Sequence, residues 1–218
     1  MGVLWEMTRH LYCISGPGYQ DDKFWEALVA SRSDRLETCP KCGRQFDPLT
    51  PPFAIEWTRD RWVGKSQRVG DFTWVYKGCI VVTERVKDAC LAADITGLKF
   101  DPVETRAFMP RKNSKPVIVD APPIWLGRPV VTIHLDLAQS QRTLISQCEV
   151  CAYSRSEVAP NAHIVICPPI ENSIPDVFLV AELPSYPFCS DRFHDLVVEN
   201  QFTNVVVKKR GVLRCMEG

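Results

Sequence analysis

Ten cysteines are the residues of this 218-residue chain best equipped for chemistry, and four of them have the spacing that chemistry needs. Cys39-Pro40-Lys41-Cys42 and Cys148-Glu149-Val150-Cys151 each set two thiols on one side of a tight turn, where backbone amides can donate to the sulfurs. One such pair alone reads as two buried thiols, a redox couple or half of a metal site. Two pairs together make the tetrahedral four-sulfur shell that zinc prefers. Redox chemistry fits less well, because neither pair follows a strand and opens a helix, and Gly43 directly after Cys42 would stop a helix at once. The expectation is one structural zinc held by Cys39, Cys42, Cys148 and Cys151. The 109-residue step between the pairs exceeds zinc-finger spacing, so such a site joins distant parts of the fold. Cys13, Cys79, Cys90, Cys167, Cys189 and Cys215 sit among apolar neighbours and are expected as buried free thiols. His163 and His194 are weaker candidates for ligands.

Catalytic constellations are scarce. His134 and Asp136 share the polar face of an alternating stretch, Val130 to Leu137, but no nucleophile motif or glycine-rich phosphate loop accompanies them. Alternation alone predicts a polar outer face there, and the chain is read as a non-enzyme. Four thiolates would also close the zinc shell, leaving no open position for a catalytic water.

The elements that must position the cysteines recur. Each knuckle is followed by an apolar strand, Phe53 to Trp57 and Ala162 to Ile166. Asp71-Phe72-Thr73-Trp74-Val75 then leads to a helix opening at Thr83-Glu84-Arg85, and Asp176-Val177-Phe178-Leu179-Val180 leads to one at Ser190-Asp191-Arg192. Thr83 and Ser190 are expected as N-caps, each followed by an acid that suits the helix dipole. Thr96-Gly97 and Thr203-Asn204 end the helices and start returning strands. From Arg85 to Arg192, Asp88 to Asp195 and Thr96 to Thr203 the step is 107 residues each time. The fold class expected is α+β: two diverged repeats of knuckle, strand, helix and strand, packed together and clipped by the four-cysteine zinc site. The halves are read as 1–108 and 117–218, joined by a basic, proline-bracketed loop at 109–116 and forming one compact unit. An amphipathic helix is predicted over Asp21 to Arg35 and strands over 117–119 and 130–137.

Composition bounds the partners. Lys and Arg number 26 and so do Asp and Glu, and this zero formal charge argues against a protein whose main task is coating nucleic acid. No uninterrupted apolar run is long enough to cross a membrane, and the N-terminal residues lack a signal-peptide pattern, so the chain is expected to be cytoplasmic. Arg61-Trp62 and Trp125 with Arg128 join the two residue types that protein interfaces favour as anchors, which makes them candidates for a partner surface.

These residues resemble a known group. Cys39-Pro40-Lys41-Cys42-Gly43, the later Cys148/Cys151 pair and the stretch from Ile80 to Val103 resemble the double-CxxCG motif family of myxobacterial proteins. Val81-Val82-Thr83-Glu84-Arg85 with Thr96-Gly97-Leu98-Lys99-Phe100-Asp101-Pro102-Val103 is similar to related bacterial immunity proteins carrying a capped helix and a Gly-Leu-x-Phe-x-Pro-Val element. The resemblance implies a protein that binds and neutralises a cognate toxin. Ala152 departs from the glycine that the family pattern has after the last cysteine. A zinc-ribbon nucleic-acid-binding or regulatory protein is the alternative reading.

Overall fold

The computed structural model describes residues 7–16, 24, 26–29, 37–46, 53–58, 69–75, 80–106, 122–151, 153–159, 163–166, 174–183 and 186–215. The first part of the chain supplies β1 (Met7–Ser15), β2 (Glu26–Val29), β3 (Glu37–Thr38), β4 (Gln45–Phe46), β5 (Phe53–Thr58), β6 (Phe72–Thr73), β7 (Ile80–Thr83), α1 (Glu84–Ala92) and β8 (Leu98–Arg106). The second supplies β9 (Ile124–Pro129), β10 (Thr132–Ile133), β11 (Arg142–Gln147), β12 (Ser154–Val158), β13 (Ile164–Ile166), β14 (Val177–Val180), β15 (Pro187–Cys189), α2 (Asp191–Glu199) and β16 (Val206–Cys215). The result is a sheet-dominated α+β fold. One six-stranded sheet runs β2-β5-β8-β9-β7-β6 and the other β10-β14-β15-β1-β16-β13, while β3-β4 and β11-β12 form separate two-stranded ribbons. No helix among the described residues is long and apolar enough to cross a membrane.

Local chemistry explains the elements. Ile80-Val81-Val82-Thr83 is a β-branched run buried at every position, as a central strand requires. In α1 Val86 and Cys90, four residues apart, face inward, and in α2 Phe193, Leu196 and Val197 do so. Gly97 and Asn204 both adopt left-handed backbone, at φ 87° and 58°, which is the turn geometry their residue types favour. A central core joins the helices to both large sheets through Ile14, Phe72, Val82, Val86, Phe193 and Phe202. Two flanking cores lie around Ile55, Trp57 and Leu126 and around Leu11, Ile166 and Phe178.

Two buried carboxylates organise the middle of the molecule. Asp176 accepts from the Thr96 amide at 2.9 Å and hydroxyl at 3.0 Å, from the Ser190 hydroxyl at 2.9 Å and from Arg192 Nη1 at 3.2 Å. Asp71 accepts from the Thr203 amide and hydroxyl, both at 2.8 Å, from Arg85 Nη1 at 3.0 Å and from the Thr83 hydroxyl at 3.4 Å. In return the Asp71 amide donates to Thr203 Oγ1 and the Asp176 amide to Thr96 Oγ1. Each carboxylate therefore ties its own strand and helix start to the helix exit more than 75 residues away. Arg85 continues to the Asn200 carbonyl and Arg192 to the carbonyls of Ala93 and Asp94, so each arginine closes the far end of the other helix.

Three expectations change. Residues 26–29 form a strand rather than part of a helix, because their backbone pairs with Ile55 to Thr58 and Ala27 is buried in the core around Trp57; a nonlocal edge overrides the local amphipathic pattern. Over 130–137 only Thr132 and Ile133 pair, parallel to β14; beyond them the Leu135 amide donates to Glu182 and the Asp136 amide to the Val165 carbonyl, which takes the chain off the sheet. Thr83 and Ser190 hold the N-cap positions in extended backbone but make no side-chain cap, since their hydroxyls are taken by Asp71 and Asp176. Strand placement crosses the chain: β1 lies in the sheet formed otherwise by β10 and β13–β16, and β9 in the one formed otherwise by β2 and β5–β8. The 109–116 loop and the 117–119 strand lie outside the described residues.

Candidate metal centre

Each knuckle is the turn of one small ribbon. In the first, the Cys39 amide donates to the Arg44 carbonyl and the Gly43 amide to the Cys39 carbonyl, both at 2.9 Å, and Gly43 sits at φ 68°. That left-handed residue reverses the chain directly after Cys42. In the second, the Cys148 amide donates to the Tyr153 carbonyl at 2.8 Å, and β11 and β12 pair on either side with a bulge between Leu144 and Ser146.

The two turns face each other and bring their sulfurs together. Cys39 Sγ lies 3.6 Å from Cys148 Sγ, Cys42 Sγ lies 3.6 Å from Cys151 Sγ, and all four sulfurs fall within 4.8 Å of one another. Zinc–sulfur bonds of about 2.3 Å in a tetrahedron put sulfurs about 3.8 Å apart, so the cluster has the dimensions and the soft donors of a four-thiolate metal site. A disulfide needs about 2.05 Å, and all four cysteines are free. Cys39 and Cys148 are buried, Cys151 is half-buried and Cys42 is exposed. Lys41 of one turn pairs with Glu149 of the other, and the Arg44 guanidinium lies 3.7 Å over the Tyr153 ring.

Amide donors favour thiolate here. The Cys151 and Val150 amides, with help from Cys39 and Cys151 thiols, bring Cys148 down to about 6 against the cost of burial. The Cys42 amide leads the lowering of Cys39. At Cys151 the Tyr153 amide pulls the same way, but burial and the Cys42, Cys148 and Cys39 thiols outweigh it and push the group up to about 12. The amides thus lower one thiol of each knuckle, and a bound cation would add positive charge that favours thiolate ligands.

The two ribbons differ. β3 and β4 are two residues each, whereas β11 and β12 run to six and five. The longer ribbon exposes Leu144, Ile145, Val150, Tyr153 and Val158, half of the ten large exposed apolar side chains among the described residues. Sequence reasoning passed over this surface because no single residue in it is unusual; the signal was the apolar Leu144-Ile145 beside a C-x-x-C turn. It also passed over the roles of Asp71 and Asp176, although both stand at the head of the recurring unit.

The remaining candidates fall elsewhere. Trp125 and Arg128 lie on β9 rather than in a loop. Lys87 Nζ sits 3.9 Å over the Trp125 ring, and Arg128 Nη2 donates to Asp101 at 2.7 Å. Arg61 and Trp62 lie outside the described residues. His163 is exposed, and His194 stacks on Tyr12 with ring centroids 4.4 Å apart; neither belongs to the sulfur cluster. His134 Nδ1 pairs with Glu182 at 3.0 Å, while Asp136 caps the turn at Gln139. Of the six other cysteines, Cys13, Cys90 and Cys189 are buried free thiols. Neither the protein-family models nor the curated proteins searched contain a match to this chain.

Proposed function

We propose that this chain is a non-enzymatic, zinc-clipped binding protein that acts as an immunity protein, docking on a cognate protein toxin and neutralising it. The observation that carries a binding role is the set of exposed apolar side chains on the β11-β12 ribbon, whose turn carries two of the clustered sulfurs. An apolar face on a rigid support is suited to burial against a partner at small entropic cost. The immunity role rests on the resemblance of the knuckles and of residues 80–103. Zinc is the metal proposed, because four thiolates in a shell of this size match its preferred ligands and leave no position for a reacting water. The matching bond sets around Asp71 and Asp176 support an internal duplication.

The test is recovery of the partner from native cells at moderate and high salt, followed by co-expression. The expected result is one stoichiometric protein that is toxic alone and harmless beside this chain, with protection lost when Leu144, Val150 and Tyr153 are changed to serine. Nucleic acid that washes off with salt would point to a zinc-ribbon regulator instead.

A further inference from the structure

Five of the six strands in each large sheet follow the same order; β2 and β10, at opposite ends, have no counterpart. The order β6-β7-β9-β8-β5 of one corresponds to β14-β15-β1-β16-β13 of the other. Pairing directions agree throughout: antiparallel across the first four strands, parallel between β8 and β5 and between β16 and β13. Registers agree as well. Trp125 of β9 opposes Val82 and Pro102, and Tyr12 of β1 opposes Cys189 and Lys209. Leu126 opposes Val81 and Asp101, and Cys13 opposes Phe188 and Lys208. In these pairs each residue of the two strands beside the central one is displaced by 107 positions and each residue of the central strand by 113 in the opposite sense, so β1 and β9 occupy equivalent slots. Their side chains meet equivalent neighbours: Lys87 of α1 covers Trp125, and His194 of α2, 107 positions on, stacks on Tyr12.

In chain order β1 leads into the first knuckle and β9 into the second, yet each fills the central slot of the other half's sheet. We propose that the molecule is a fused pair of half-length units that complete each other by exchanging their leading strands, so that residues on either side of 107–121 hold together without a peptide bond between them and without metal. Three further ties cross between the units in the same reciprocal way. Asp71 binds Thr203 while Asp176 binds Thr96, Arg85 reaches Asn200 while Arg192 reaches Ala93, and each unit gives two sulfurs to the cluster. β1 alone sets Leu11 and Ile14, both fully buried, into two different cores of the second sheet's faces. A strand buried on both faces and paired along both edges is not released by losing one covalent link or one metal ion.

The test cuts the folded full-length protein at a protease site introduced within 107–121 and follows it by native mass spectrometry and size exclusion, with and without a chelator. The expected result is a one-to-one complex of the two pieces in both conditions. Separation into two pieces, in either condition, overturns the proposal. A second measurement decides the matter if the cut protein leaves solution. Ser15 opposes Val206 across β1 and β16, so a Ser15→Cys, Val206→Cys pair is placed for a disulfide. After cutting, that variant is expected to run as a single cross-linked species on a denaturing, non-reducing gel. Release of two fragments under those conditions would mean that β1 does not sit in the second unit's sheet.

Discussion

Replacing Asp176 by alanine removes the acceptor on which four donors converge, and its cost follows from what each donor is left with. The Thr96 amide, held at 2.9 Å in a part-buried bond, would lose the Asp176 carboxylate as acceptor; because Thr96 itself is exposed, water can replace part of that bond and the loss is about 1 kcal/mol. The hydroxyls of Thr96 and Ser190 can rotate toward other acceptors, and about 1 kcal/mol each is a fair charge-assisted loss. Arg192 is half exposed, so its ion pair adds at most about 1 kcal/mol. The total is about 3–4 kcal/mol, at the lower end of the range for breaking a buried charged pair by removing one partner. At about 2–4 °C per kcal/mol for a chain of this size, the melting temperature is expected to fall by about 6–16 °C. Urea and thermal unfolding, each followed by circular dichroism, measure the free energy and the melting temperature. Asp71→Ala is expected to cost a similar amount, since its donors match one for one. A cycle with Thr96→Val should return a coupling of about 1–2 kcal/mol with Asp176→Ala. A cost below about 1 kcal/mol, or no coupling, would mean that the carboxylate is solvated and that the crossed ties do not hold the halves.

Four other outcomes are expected. The chain should bind one zinc, and Cys39→Ser or Cys148→Ser should abolish tight binding and lower the melting temperature as much as a chelator does; elemental analysis and thermal unfolding check this. Gly97→Ala should cost well over the ~1–2 kcal/mol of a left-handed alanine, because its Cβ would lie 2.1 Å from the Val177 carbonyl oxygen, whereas Gly43→Ala should cost only that amount since nothing lies within 4 Å of its Cβ. Burial pushes Cys90 up from 9.0 to about 12; the folded state holds this proton more tightly than the unfolded state, so stability is fully present below pH 9 and declines between about pH 9 and 12, and Cys90→Ala should flatten that decline in alkaline unfolding curves. Changing Leu144, Val150 and Tyr153 to serine should leave the unfolding midpoint within about 0.5 kcal/mol of the parent, because these side chains are exposed.

The parts of the fold that were legible in the sequence are those whose signal is a fixed spacing. The knuckles, the helices after Thr83 and Ser190 and the left-handed exits at Gly97 and Asn204 all announce themselves within a few residues. What was not legible depends on distant partners. Residues 26–29 carry a helical apolar pattern and become a strand because β5 offers them an edge. Thr83 and Ser190 have the residue type of a cap, but a buried carboxylate competes for the hydroxyl, and no local rule ranks the two. Equivalence of β1 and β9 is hidden for a different reason. Leu11-Tyr12-Cys13-Ile14 and Ile124-Trp125-Leu126-Gly127 share only an apolar character, and their relation appears only through the residues they oppose. At the sulfur cluster, the four cysteines could be picked from spacing, whereas the longer second ribbon and its exposed apolar side chains needed the burial of each side chain to be known.

The placement of β1 makes the order of synthesis matter. The slot for β9 lies between β7 and β8, both already made when Ile124 emerges, so that sheet can gain its central strand as translation proceeds. The slot for β1 lies between β15 and β16, which begin only at Pro187 and Val206. An apolar strand made first must therefore wait for nearly the whole chain, exposed to any other unpaired edge it meets. A ribosome stalled before residue 187 would carry a finished first sheet and an orphaned leading strand, and it is at that stage that a chaperone would have most to hold.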